Sequence, residues 1–114
     1  MGFRWSIYLV NLDPVIGSEQ GKKRPVVIVS EEEINEILPV VNVLPLTSYK
    51  EGRRVYANEV FLSKSDARLE KDSLVLCYQI RTIDKQRLIT KLGEINSETL
   101  REEIIDALSF QLGI

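Results

Sequence analysis

The residues that could do chemistry begin with a short polar loop and an arginine. Gly17 and Gly21 bracket a serine, a glutamate and a glutamine, and three cations and Pro25 follow directly. Proline disfavours helical geometry in the residue before it, so we expect Arg24 to leave the start of an extended strand. Its planar guanidinium carries donors that match phosphate oxygens. The segment therefore predicts either an anion site or an ordinary polar hairpin loop with a surface arginine.

Two further segments carry polar side chains beside apolar runs. Thr47 follows the apolar run Val40–Leu46, at a strand end where functional sites often form, although its hydroxyl could equally complete a turn. Gln79 interrupts another apolar run, and a buried amide without a partner costs about 1–3 kcal/mol. That partner could be a ligand or a backbone group. Arg81 and Asp84 could form a structural ion pair.

The composition excludes several familiar catalytic and metal sites. The chain has no histidine and one cysteine, so paired histidines, a Ser-His pair and an intrachain disulfide are all impossible. A structural zinc site is not expected, and Cys77 is interpreted as a small core residue, since no histidine can activate it. The run Glu31–Glu33 is more typical of a solvated face than of a magnesium site. No apolar run approaches the ~20 residues of a membrane span, and we expect a reducing cytoplasm.

The net charge of −2 hides an asymmetry along the chain. Residues Met1–Ser30 contain four cations and two anions, whereas Glu94–Ile114 contains five anions and one cation. A locally basic loop can bind phosphate when the acidic end of the chain faces elsewhere. The overall charge therefore leaves a nucleic-acid partner open.

The 114 residues predict one domain, 1–114, that is mainly β with a terminal helix. Apolar alternation and β-type runs predict five strands: Trp5–Leu12, Val26–Ser30, Val40–Leu46, Arg54–Leu62 and Ser73–Ile83. We expect a short helical turn within Glu31–Leu38, a loop over Ser63–Asp72, and no central, fully paired position for Pro45. A helix is predicted after an N-cap at Asn96 or Ser97 and before Gly113, from apolar residues at helical spacing: Leu100, Ile104, Ile105, Leu108 and Leu112. Together these elements predict a small barrel with a helix packed on it.

Taken in their order and spacing, these motifs resemble the MazF/PemK/Kid family of toxin ribonucleases from bacterial toxin–antitoxin modules. The resemblance runs from about Trp5 to Leu112. The segments that carry it are Ile7–Pro14, Gly17–Gly21, Arg24–Val26, Pro45–Ser48, Lys71–Ser73 and Gln79–Leu88. Such a series is specific to the family.

The resemblance implies a small SH3-like β-barrel of the CcdB/Kid/PemK type with a C-terminal amphipathic helix, and a cytoplasmic homodimer. It implies metal-independent cleavage of single-stranded RNA, including messenger RNA, without a cofactor. Attack by the adjacent 2′-hydroxyl would give a 2′,3′-cyclic phosphate and a 5′-hydroxyl. A MazE-like antitoxin with an acidic segment would neutralise the toxin.

The resemblance also implies roles for particular residues. Arg24 and Thr47 take the positions of the catalytic arginine and threonine. RNA-binding positions fall in the Gly17–Gly21 loop and at Gln79, and the lysines before the arginine add two charges beside the site. The expected RNA-binding residues are Ser18, Glu19, Gln20, Lys22, Lys23 and Gln79. Tyr49 and Tyr56 could stack on bases, whereas Trp5 is expected to pack in the core or in a dimer.

Two other functions remain open on the same fold. CcdB-like gyrase poisons act through a C-terminal Trp-Gly-Ile, and this chain ends Leu112-Gly113-Ile114, where the glycine could simply stop the helix. A non-catalytic barrel that binds RNA or a partner is the other alternative.

Overall fold

The computed structural model describes residues 2–114 as one antiparallel sheet of seven strands with three α-helices. The strands are β1 (Ser6–Asn11), β2 (Lys23–Ile28), β3 (Val40–Ser48), β4 (Glu59–Leu62), β5 (Ser73–Leu76), β6 (Arg81–Asp84) and β7 (Leu88–Glu94). The helices are α1 (Glu32–Ile37), α2 (Lys64–Ala67) and α3 (Glu98–Leu112). The pairing order is β4-β5-β3-β2-β1-β7, with β6 beside β3. The mainly β fold with a terminal helix is confirmed, although the pairing of the described strands leaves the sheet open.

The two faces of the sheet bury two separate apolar clusters, because successive side chains along a strand point to opposite faces. In β2, Val27 belongs to the larger cluster and its neighbours Val26 and Ile28 belong to the smaller one. The larger cluster also contains Ile104 and Ala107 of α3. The central strands are therefore apolar on both faces, as their short continuous apolar runs predict.

The central strand β3 changes partner at Pro45. On one side, β3 pairs with β6 up to Val43 and with β5 from Leu46 onward. On the other side it pairs with β2, and that ladder ends at the pair Val26–Pro45. Proline has no amide hydrogen to donate to a ladder. Pro45 thus lies in a central strand, contrary to expectation, but it is paired on one side only, as expected. β2 and β3 stop pairing just before their polar residues.

The C-terminal helix α3 has the predicted caps at both ends. The Ser97 hydroxyl oxygen accepts a hydrogen bond from the amide of Leu100 at 3.2 Å, which satisfies one of the free amides of the first turn. Gly113 ends the helix with φ 71° and ψ 33°, a left-handed conformation that glycine adopts without steric cost. Ile105 and Leu112, which the spacing assigned to the buried face, are partly exposed.

The carboxylate of Glu32 ties the N-terminal segment to α1. Its oxygens accept hydrogen bonds from the backbone amides of Phe3 and Arg4 at 2.8–3.1 Å and from the side chain of Asn35 at 3.3 Å. Burial raises the pKa of Glu32, but the bonds from Arg4, Phe3 and Asn35 outweigh it and lower the pKa to about 2. Glu31 pairs with the guanidinium of Arg4 at 2.7 Å. Two members of the acidic run are therefore engaged with the N-terminal segment.

The predicted strand Ser73–Ile83 is wrong as one element. A 3₁₀ turn at Cys77–Gln79 divides it into β5 and β6, which pair with different parts of β3. Regular alternation is compatible with one long strand, and only the pairing with β3 reveals the break. Arg81 donates to the carbonyl oxygen of Leu12 at 2.7 Å, and Asp84 accepts from the amide of Gln86 instead of pairing with Arg81.

Three other boundaries also differ from the prediction. In the predicted strand Arg54–Leu62, only Glu59–Leu62 is a strand; residues 53–56 have no regular secondary structure, and residues 57–58 form a turn. The predicted loop Ser63–Asp72 contains helix α2. The strand Leu88–Glu94 was not predicted, and it pairs with β1 through two irregularities in register. Within residues 2–114, no helix is long and apolar enough to cross a membrane.

Candidate active site

Arg24 and Thr47 lie on the walls of one open groove of about 690 Å³. The β2–β3 register pairs Val26 with Pro45, and continuing it by two residues sets Arg24 opposite Thr47. The two strands no longer pair at that point, so both side chains are left at the opening between them. Pairing of β3 with β5 continues on the far side and sets Ser48 opposite Ser73. The end of the β2–β3 ladder at Pro45 thus opens the two strands and leaves Arg24 and Thr47 on the walls of the groove.

Backbone carbonyls hold the guanidinium of Arg24. Its Nε donates to the carbonyl oxygen of Gly21 at 2.9 Å, and its Nη1 lies 3.5 Å from the carbonyl oxygen of Leu46. The side chain is half-buried, and no carboxylate forms an ion pair with it among the described residues. A positioned, unneutralised guanidinium can bind an anion in the groove.

The groove is cationic although the chain is acidic. Its charged lining residues are Lys23, Arg24, Arg68, Lys71 and Glu70, four cations and one anion. Lys23 is the one predicted RNA-binding residue in this lining. Arg68 and Lys71 were not among the predicted site residues, because Ser63–Asp72 was predicted to be a polar loop. Clustered charge just after a short helix was the signal that could have found them.

Gln79 holds the loop that precedes Arg24. Its Nε2 donates to the carbonyl oxygen of Ser18 at 3.1 Å, and its Oε1 accepts from the amide of Gln20 at 3.3 Å. The carboxylate of Glu19 accepts from the amide of Ile16 at 2.8 Å within the same loop. The partner required by the Gln79 amide is thus the backbone. Gln79 and the loop do not line the groove, but they are joined to it because Gly21 anchors Arg24.

The base of the loop is closely packed. The Asp13 carboxylate accepts from the amide of Lys22 at 2.8 Å, and a Cβ at Gly21 would lie 2.6 Å from that carboxylate. Lys22 is exposed and has a left-handed φ of 63°. Arg87 donates to the carbonyl oxygens of Asn11 and Asp13, both at 3.0 Å. These contacts fix both ends of the loop, while Ser18 and Glu19 at its tip are exposed.

The aromatic side chains have different surroundings. Trp5 is buried, with the guanidiniums of Arg4 and Arg101 at 5.2 and 5.6 Å from its ring, which confirms packing in the core. Tyr49 makes an edge-to-face contact with a phenylalanine. Tyr56 is exposed beneath the guanidinium of Arg54, beside a second cavity of about 650 Å³. Tyr56 is therefore the most accessible of the three rings that could stack on a base.

Cys77 has the properties of a core residue. Its side chain is buried, and burial, with a smaller effect from the Glu59 carboxylate, raises its pKa to about 12. The thiol is therefore protonated and unreactive at neutral pH. Glu59 accepts two hydrogen bonds from Arg53 at 2.9 Å, and these lower the pKa of the carboxyl despite burial. This pair fixes the turn that leads into β4.

The open antiparallel sheet, its terminal helix and its groove define a class of small β-rich proteins with a cationic cleft. The chain belongs to a family within that class, the PemK-like, MazF-like toxins of type II toxin–antitoxin systems, whose family model matches residues 3–110. Endoribonuclease MazF of Staphylococcus saprophyticus is 39% identical over 111 residues, which are 97% of this chain and 91% of that protein.

Solved structures of the same family share the fold. MazF from Deinococcus radiodurans is 28% identical with a TM-score of 0.80, and the match covers 97% of this chain and 96% of that one. A mycobacterial endoribonuclease, solved in complex with its cognate antitoxin, is 25% identical with a TM-score of 0.80, covering 100% and 97% of the two chains. The family resemblance that the sequence motifs indicated is therefore confirmed.

Proposed function

We propose that this chain is a toxin endoribonuclease that cleaves single-stranded RNA at the groove between Arg24 and Thr47. The observation that carries the proposal is the meeting of these two side chains at the end of the β2–β3 ladder, in a groove with four cations and one anion. A guanidinium and a hydroxyl are suitable donors for the non-bridging oxygens of a phosphodiester. The 39% identical Staphylococcus saprophyticus protein carries the name endoribonuclease.

The proposed reaction is transesterification by the 2′-hydroxyl next to the scissile phosphate. The bond from O2′ to phosphorus forms as O2′ loses its proton to solvent, and the bond from phosphorus to O5′ breaks as O5′ takes a proton from solvent. The products are a 2′,3′-cyclic phosphate and a 5′-hydroxyl. Arg24 binds the non-bridging oxygens, stabilises their growing charge and assists proton transfer, and Thr47 holds the phosphate. Because a guanidinium carries several donors and no acceptor, we assign Arg24 chiefly to charge stabilisation.

The RNA is bound on both sides of this phosphate. Lys22 and Lys23 contact its backbone, and the Gly17–Gly21 loop reads unstacked bases with Ser18, Glu19 and Gln20. Gln79 acts on RNA through this loop, because its amide is occupied by the loop backbone. We propose that two copies form a cytoplasmic homodimer and that an acidic segment of a MazE-like antitoxin covers the cationic groove. The complex of a mycobacterial relative with its cognate antitoxin supports such a partner.

The proposal is tested by incubating the protein with a long single-stranded RNA in excess EDTA and mapping the ends. We expect internal cuts at a short preferred sequence, with a cyclic phosphate on one fragment and a 5′-hydroxyl on the other. Intact RNA under all conditions, with or without added Mg²⁺, would contradict the proposal. Inhibition of DNA gyrase with intact RNA would favour a CcdB-like poison, although Gly113 here serves as a helix stop.

A further inference from the structure

Arg68 occupies a backbone position that arginine rarely adopts. It ends the short helix α2 with φ 58° and ψ 38°, in the left-handed region. Glycine is the usual residue at such a helix end, because a Cβ is unfavourable in this conformation. The amide of Arg68 still makes the expected capping bond to the carbonyl oxygen of Lys64. The backbone therefore requires only a residue that tolerates this conformation, and the arginine side chain needs another explanation.

The guanidinium of Arg68 has no protein partner among residues 2–114. The chain has eight arginines, and the guanidiniums of the other seven are engaged. Arg4, Arg24, Arg53, Arg81, Arg87 and Arg101 hydrogen-bond to carbonyl or carboxylate oxygens, and Arg54 lies over the ring of Tyr56. Arg68 is exposed and forms no ion pair in the described part of the chain. Its donors are therefore free for a ligand.

Arg68 also links two neighbouring cavities. It lines the groove of Arg24 and Thr47, and it also lines an adjoining cavity of about 540 Å³. The other charged residues of that cavity are Asp66, Lys91 and Glu94, and Lys91 pairs with Glu94 at 3.7 Å, so Arg68 is its one cation without an ion pair among the described residues. Leu92 belongs to both walls, so the cavities are adjacent along β7. A single strand held at Arg24 can follow this wall past Arg68, because successive nucleotides place a phosphate at each step.

We propose that Arg68 is an RNA-positioning residue that binds a phosphate next to the scissile one. This inference rests on the proposed ribonuclease function and adds a contact to it. The RNA leaves the groove over the end of α2, and the fork of the guanidinium holds one phosphate by two hydrogen bonds. Glycine would fit this left-handed position with less backbone strain, so phosphate binding explains why an arginine stands there.

The test compares Arg68→Gly, Arg68→Lys and a control variant, Lys64→Gln. Lys64 is an exposed cation of the same helix that lines neither cavity. The probe is a mixed-sequence single-stranded RNA in which 2′-fluoro groups replace the 2′-hydroxyls. It therefore lacks the nucleophile for its own cleavage. Affinity is measured over a range of salt concentrations, and the unfolding midpoint of each variant is measured in urea.

We expect Arg68→Gly to unfold at the same or a higher urea concentration, because glycine fits the left-handed position. Its affinity for the probe at low salt should fall about tenfold, and the slope of log affinity against log salt should decrease by about 0.7. Arg68→Lys should keep the slope, and Lys64→Gln should keep both slope and affinity.

An Arg68→Gly variant whose slope and affinity equal those of the parent protein overturns the inference. If the parent protein still cleaves unmodified RNA in an Arg24-dependent manner, the proposed function stands and only the role of Arg68 fails. If the parent protein neither cleaves RNA nor binds the probe, the proposed function fails as well.

Discussion

The hydrogen bonds of Gln79 predict how firmly the Gly17–Gly21 loop is closed. Two bonds, at 3.1 and 3.3 Å, join the side-chain amide to the carbonyl oxygen of Ser18 and the amide of Gln20. Each contributes about 0.5–1.5 kcal/mol net, so Gln79→Ala should favour the open loop by about 1–3 kcal/mol. That corresponds to a roughly 5- to 150-fold larger open population. The substitution changes a half-buried side chain, so the global fold should remain.

Hydrogen exchange at the amide of Gln20 measures this opening directly. In Gln79→Ala we expect its exchange to speed up by the same factor, while amides in β3 keep their protection. Gln79→Glu is the matched control: it keeps an acceptor for Gln20 and loses the donor to Ser18, so its effect should be intermediate. Unchanged exchange at Gln20 in Gln79→Ala would refute this account of the loop.

The loop and the proposed chemistry are connected through Gly21. Its carbonyl oxygen holds Nε of Arg24, and the neighbouring amide of Gln20 is held by Gln79. Opening the loop should therefore raise the KM for RNA and also lower the single-turnover rate. A variant with an open loop and an unchanged single-turnover rate would show that the function of Arg24 does not depend on the loop.

Three further predictions concern the fold. Gly93→Ala should lower the unfolding free energy by about 1–3 kcal/mol, because a Cβ there would run into the backbone carbonyl of Ala67; urea unfolding within error of the parent would contradict this. Glu32 has a pKa of about 2 in the folded state against an ordinary 4.5, so its stabilisation is present above pH 4.5 and is lost as the pH falls to about 2. After allowing for solvent screening, this stabilisation is about 1 kcal/mol. Glu32→Gln should remove it when the unfolding free energy is measured as a function of acid pH. A pH profile identical to that of the parent protein would contradict this role of Glu32. Cys77 should resist iodoacetamide at pH 8 until the protein unfolds, and rapid labelling of the native state would disprove its burial.

Local signals in the sequence were sufficient for the elements that depend on them. The helix α3 has a serine N-cap, apolar residues at helical spacing and a terminal glycine, and all three act within a few residues of one another. By contrast, the alternation in Ser73–Ile83 does not show that the strand breaks at Cys77–Gln79. That break arises because β5 and β6 pair with different parts of β3, which is a tertiary effect.

The candidate site was predictable in part for the same reason. Arg24-Pro25 is a local signal, but the meeting of Arg24 with Thr47 depends on the register of β2 and β3. Only the family resemblance indicated that these two residues belong to one site. The unengaged guanidinium of Arg68 could not be predicted from the sequence. Its significance depends on the left-handed end of α2 and on a groove formed by distant strands.

The central claim is that Arg24 stabilises the transition state of RNA cleavage. Its most direct test is the single-turnover cleavage rate at saturating RNA for Arg24→Ala, with Lys64→Gln as the control and the fold of each variant verified by thermal unfolding. Loss of one positioned donor typically costs about 2.7–4 kcal/mol of transition-state stabilisation, so the rate of Arg24→Ala should fall about 10²- to 10³-fold. A folded Arg24→Ala variant that cleaves at nearly the parent rate would contradict the account.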